Sequence, residues 1–117
     1  MNTNHIVYES LKGLGMPMNM KGYPLISKAI SMCLEKPELI GEMNTIYSQL
    51  AEEQGIPFST AVRNIVYCIG VTLSNSAQVE EYFGARVHYE NIKPNEFIAG
   101  VCEHIRMKEI KKGASEQ

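Results

Sequence analysis

Apolar residues recur at three- and four-residue steps along almost the whole chain, the period of amphipathic helices. Ile6, Val7, Leu11 and Leu14 make a first short stripe. It closes at Gly13 and Gly15, because glycine tolerates the positive φ of a helix end. After a connector from Met16 to Met20 that contains Pro17, a second helix is predicted behind Lys21-Gly22-Tyr23. Its residues Leu25, Ile26, Ala29, Ile30, Cys33 and Leu34 give one wide buried face. Pro24 is tolerable only in the first turn, where its missing N–H leaves no helical bond unmade, and Pro37 opens the next stretch in the same way. Leu39, Ile40, Met43, Ile46, Tyr47, Leu50 and Ala51 then carry an apolar face as far as Gly55.

The next stretch is the most informative. Gln49 to Gly55 closes one helix, Ile56-Pro57-Phe58 turns the chain, and Ser59 is the expected N-cap of a second helix running to about Ser74. Ala51 with Gly55 four residues on is what a helix-turn-helix requires: a small residue where two helices cross closely, then a residue that turns sharply. An ordinary helical corner shares that spacing. At about 100° per residue, Ala61, Ile65, Cys68, Ile69 and Thr72 should face the core. Ser59, Thr60, Arg63, Val66, Tyr67 and Gly70 should face outward, with Val62 and Leu73 on the flank.

Beyond Ser74-Asn75-Ser76 a short helix is predicted over Ala77 to Tyr82, ending at Gly84, and the alternation of Val87 and Tyr89 suggests an extended Ala85–Ile92 run. Pro94 opens a last helix whose buried stripe is Phe97, Ile98, Val101, Cys102, Ile105 and Ile110. Arg106, Lys108, Lys111 and Lys112 collect at its end, where cations suit the helix dipole or meet phosphates. The expected fold is therefore all-α, a compact bundle of about six helices. Residues 1–112 form one domain with a helix-turn-helix at about 43–74, and 113–117 form a disordered tail.

Composition narrows the chemistry. The chain has 117 residues, 11 basic and 13 acidic, for a formal net charge of −2, and 44% of its residues are hydrophobic. That is enough apolar material for a core and excludes global disorder. No segment approaches a membrane span and no signal-peptide pattern opens the chain, so a cytoplasmic protein without membrane contact is expected. The near-neutral balance means that any DNA contact must come from a local patch. Cys33, Cys68 and Cys102 are too widely separated for a structural zinc site and sit among apolar neighbours, as reduced thiols packed like small hydrophobes do. His5, His88 and His104 are scattered, and the common phosphate, dinucleotide and zinc-protease motifs are absent. No enzyme, cofactor, metal or small-molecule substrate is expected.

Lys21-Gly22-Tyr23 followed by Ala29-Ile30-Ser31-Met32 resembles the opening helix of the DNA-binding effector domain of the sporulation initiation response regulator, the stage 0 sporulation protein A family. Gly15-Met16-Pro17, Phe83-Gly84, Lys93-Pro94 and Glu96-Phe97-Ile98-Ala99 are also similar to that family. The likeness runs in order from about Leu14 to Lys108. It implies an all-α domain of about six helices whose helix-turn-helix reads a short promoter box and dimerises in tandem on DNA. The family's phosphorylatable receiver domain has no room in this chain, so phosphorelay control is not carried over. Thr60, Val62 and Val66 stand where the family has charged side chains, whereas Arg63 and Ser59 match it.

The leading expectation is sequence-specific binding of double-stranded promoter DNA as a transcriptional regulator. Ser59, Thr60, Arg63, Asn64, Val66 and Tyr67 form the contact set, with Arg63 reaching the guanine O6 and N7 acceptors and hydroxyls reaching phosphates. Arg106, Lys108, Lys111 and Lys112 are candidate phosphate contacts. The alternative is a degenerate relative that has lost DNA binding and uses the Val62, Val66 and Gly70 surface for a protein partner or a second copy of itself.

Overall fold

The computed structural model describes residues 3–84 and 92–115. Helix α1 spans Thr3–Gly13 and α2 spans Gly22–Glu35; a 3-10 helix follows over Pro37–Glu42. Helix α3 spans Met43–Gln54, α4 Phe58–Asn75, α5 Val79–Phe83 and α6 Pro94–Ser115. Helices account for all the regular structure among the described residues, as the apolar period requires.

Local chemistry sets the helix ends. After α1 the chain reverses through Gly15 at φ +78°. The Met16 N–H bonds the Leu11 carbonyl at 3.0 Å and the Gly15 N–H bonds that of Lys12 at 2.9 Å. This is a Schellman cap, and its flanking apolar residues, Leu11 and Met16, are both buried. Pro24 falls in the first turn of α2 and Pro37 starts the 3-10 helix, both where an absent N–H is harmless.

Helix α2 is the hub and packs against α1, α3, α4, α6 and the 3-10 helix. Its Ile26, Ala29, Ile30 and Cys33 are wholly buried, and they meet Ala61, Ile65 and Cys68 of α4 and Phe97, Ile98, Val101 and Cys102 of α6 in one core. Gly22 lets α2 approach α4 closely, since a Cβ there would stand 2.3 Å from the Asn64 carbonyl oxygen. Two tyrosines tie elements together across the sequence. The Tyr47 hydroxyl donates to Asn95 Oδ1 at 2.7 Å, joining α3 to α6, and that of Tyr82 donates to the Ser10 carbonyl at 2.9 Å, joining α5 to α1.

Several boundaries and faces differ from expectation. The Pro37–Gln54 stretch is not one helix, because its first six residues are 3-10 and none of them is buried. Ser59 is not the N-cap: α4 begins at Phe58, with Pro57 at ψ 150° in the cap position and no side-chain cap bond. The rigid proline sets the entry, and the first helical bond runs from the Ala61 N–H to the Pro57 carbonyl. Helix α5 starts at Val79, later than Ala77, because the Ser76 hydroxyl accepts the Gln78 N–H at 3.1 Å and holds a local turn. Leu73, expected on the flank of α4, is buried, and Ile110 is 65% exposed. Five residues past Ile105, Ile110 has rotated away from the buried stripe. Helix α6 runs through Gly113 to Ser115, so the segment expected as a tail is helical over its first three residues. One glycine costs a helix about 1 kcal/mol and does not by itself end it. The expected Ala85–Ile92 extended run lies outside the described residues except for Ile92, which packs on the core.

Candidate nucleic-acid interface

The corner between α3 and α4 is built by one glycine and one proline. Gly55 adopts the left-handed conformation at φ 67° and ψ 32°. The Ile56 N–H bonds the Ala51 carbonyl at 3.0 Å and the Gly55 N–H bonds that of Glu52 at 3.1 Å, a second Schellman cap. Ala51, Ile46 and Leu50 are buried beneath the turn. The chain bends by 106° between the Pro37–Gln54 segment and Phe58–Asn75, within the range of helix-turn-helix units.

Helix α4 divides as its 3.6-residue period dictates. Ala61, Ile65, Cys68, Ile69 and Thr72 are in the core, and the Thr72 hydroxyl donates to the Cys68 carbonyl at 2.8 Å so that it is buried without loss. Phe58, Ser59, Arg63, Val66, Tyr67 and Gly70 are exposed, while Thr60, Val62 and Asn64 are half-buried. Arg63 is the one charged residue among the 18 of α4, which carries no carboxylate. The outward edge at the start of α4 thus stands open to a partner.

The structure adds residues from a distant part of the sequence. A hollow of about 260 Å³ beside α4 is lined by Asn64 and Tyr67 together with Asn19, Met20, Lys21 and Gly22. Lys21 brings a cation beside Asn64 and Tyr67 of α4. Face arithmetic on α4 is blind to it, since Lys21 belongs to the entry of α2; the signal in the sequence was Gly22, a residue that permits close helix approach. On the other side of the corner, the Lys28 ammonium is paired with the Glu53 carboxylate. Hydrogen bonds from Lys28 and then Gln49 hold that carboxyl below its usual range.

The cations of α6 gather elsewhere. Arg106 donates from Nη2 to the Cys33 carbonyl at 2.8 Å and is half-buried, so it clasps α6 to α2. Lys108, Lys111 and Lys112 line a cavity of about 470 Å³ between α1 and α6, together with His5, Glu9, His104 and Glu109. None of them lines the hollow beside α4. His104 stacks on Tyr82 with ring centroids 3.8 Å apart. Burial is the main cause that holds its pKa below the ordinary value, with Lys108 and Lys111 acting the same way and Glu81 opposing them. The three cysteines are free and buried. No group of three or more His, Cys, Asp or Glu side chains fit for a metal ion occurs among the described residues. No single described helix is long and apolar enough to cross a membrane.

Residues 7–105 match the family described as sporulation initiation factor Spo0A C terminal. The match covers α1 from Val7 onward, α2 to α5 entirely, and α6 through its last buried residue, Ile105.

Proposed function

This chain belongs to the sporulation initiation factor Spo0A C-terminal family, and from that premise we propose that it regulates transcription by reading double-stranded promoter DNA with α4 in the major groove. The family's role is DNA-binding regulation and not catalysis. The observation that carries the finer reading is the open edge of α4. A 106° corner presents Ser59, Thr60, Arg63, Val66 and Tyr67 away from the core, on a helix free of carboxylates. A major groove admits one α-helix, and a recognition helix works through its N-terminal residues. Arg63 is suited to paired hydrogen bonds with guanine O6 and N7, and the Val66 methyls to a thymine methyl. Ser59, Thr60, Asn64 and Tyr67 offer polar groups to phosphates, and Lys21 supplies a charge there. A DNA target sets the protein in the cytoplasm.

The test is selection of a preferred site from a randomised duplex pool, followed by affinity measurements between 50 and 200 mM salt. Arg63→Ala should weaken binding to the selected site by about 1–3 kcal/mol and relax preference at one base pair. Binding to random duplex should change much less. A stoichiometry of two chains per selected duplex would support tandem pairing.

A second reading is favoured by the apolar content of the same edge. Phe58, Val66 and Tyr67 are 45%, 48% and 66% exposed around a single charged residue. Aromatic and apolar side chains with one arginine suit the centre of a protein interface. Absence of duplex binding at 50 mM salt would select this reading over the first.

A further inference from the structure

Cys33 and Cys102 are both completely buried, on α2 and α6, which pack along one another. The Cys102 thiol donates to the Ile30 carbonyl at 3.8 Å, and Cys33 lies about one turn beyond Ile30 on the same face of α2. Arg106, one turn beyond Cys102, donates to the Cys33 carbonyl at 2.8 Å. These two bonds fix the register of the helices and set the two cysteines side by side across the α2–α6 contact. The Ile30 carbonyl that accepts the Cys102 thiol lies on the turn of α2 that carries Cys33. Cys68 is just as deeply buried but has no such thiol neighbour: burial alone pushes its pKa up, to about 11.

We propose that Cys33 and Cys102 are an oxidisable pair that closes to a reversible disulfide between α2 and α6, with hydrogen peroxide as the oxidant. Complete burial restricts the oxidant to a small neutral molecule. The asymmetry of the pair assigns the order of events. The Cys102 S–H is engaged by the Ile30 carbonyl and stays protonated, whereas the pKa of Cys33 is lowered by its Cys102 neighbour, with burial opposing and the Arg106 guanidinium assisting. The thiolate is the nucleophile in such chemistry. The Cys33 thiolate attacks one peroxide oxygen, the O–O bond breaks, and the departing hydroxide takes up the thiol proton as water, leaving a sulfenic acid. The Cys102 sulfur then attacks the Cys33 sulfur. The S–S bond forms, the S–O bond breaks, and hydroxide leaves as water with the Cys102 proton. Two thiols and one peroxide give one disulfide and two waters, with two electrons passing from sulfur to peroxide.

The sequence makes the test direct, because trypsin places each cysteine in its own peptide: residues 29–63, 64–86 and 87–106, with Lys36 and Lys93 protected by the prolines that follow them. The folded full chain is treated with hydrogen peroxide, denatured, alkylated and mapped by mass spectrometry. The expected result is a loss of two hydrogens, alkylation at Cys68 alone, and a cross-link between peptides 29–63 and 87–106 that dithiothreitol reverses. The cross-link should persist in Cys68→Ala and be absent from Cys102→Ala, in which dimedone should trap the Cys33 sulfenic acid. Three alkylatable thiols after treatment, a cross-link through peptide 64–86, or a disulfide between two chains would each overturn the proposal. If Cys102→Ala does not fold, the map of the unsubstituted chain decides. The oxidised chain should also melt at a higher temperature than the reduced one; a lower value would show that the bond forms only by distorting the native packing.

Discussion

A Cβ placed on Gly22 would meet the Asn64 carbonyl oxygen at 2.3 Å and Cys68 Cβ at 2.7 Å. Neither neighbour is a flexible side-chain tip, so Gly22→Ala must push α2 and α4 apart. Overpacking of this kind costs about 1–3 kcal/mol. At this chain length each kcal/mol lowers the melting temperature by about 4–8 °C. Because Asn64 adjoins Arg63, the same substitution should weaken duplex binding beyond what stability explains, as an affinity measurement on the folded fraction would show. His104 gives a second expectation at this scale. Its Nδ1 is buried without a hydrogen-bond partner, and its pKa is lowered chiefly by burial. The charged and titratable groups around it are Glu81 on α5, Lys108, Glu109, Lys111 and Lys112 on α6, and His5 and Glu9 on α1. A histidine whose folded pKa lies below its unfolded value withholds a proton that the unfolded chain accepts, so stability falls as pH drops below about 6.5. Thermal melts from pH 7.5 to 5 should show this decline, and His104→Phe, which keeps a ring against Tyr82, should flatten it.

At the scale of elements, the corner rests on Gly55. Gly55→Ala would place a Cβ at φ 67°, which costs about 1–2 kcal/mol. Nothing stands within 4 Å of the added atom, so the loss should come from backbone strain alone and the binding edge should survive. Denaturant titration should therefore show a lower midpoint with an unchanged slope. Gly55 was legible in the sequence because its work is local: a left-handed residue after an apolar helix ends that helix wherever it occurs. The core face of α4 was legible for the same reason, its period being fixed by helix geometry. The start of α4 was not, since Ser59 and Pro57 are competing local signals and the rigid proline prevailed. Lys21 beside Tyr67 and the Arg106 bond to Cys33 were also hidden. Both depend on how α2 meets α4 and α6, and a one-dimensional pattern carries no crossing geometry. Part of this was still readable through the family resemblance: Lys21-Gly22-Tyr23 carried it, and the crossing at Gly22 supplies a physical reason for a glycine there.

For the whole molecule the decisive quantity is where the charge sits. With a net charge of −2, the domain has no general attraction to a polyanion, and binding must draw on Arg63 of α4 and on Lys21 beside Asn64 and Tyr67. Two cations neutralise at most two phosphates, which implies a plot of log affinity against log salt with a slope no steeper than about −2. A strongly basic domain would give a much steeper one. Lys21→Ala should make the slope shallower by about 1 and weaken binding to all duplexes alike, because a phosphate contact carries no sequence information. Lys108 and Lys112 provide the control. They line the cavity between α1 and α6, apart from the hollow that Asn64 and Tyr67 share with Lys21, so neutralising both should leave the slope unchanged. If that pair, and not Lys21, sets the salt dependence, the DNA lies along α6 and the role given to α4 fails.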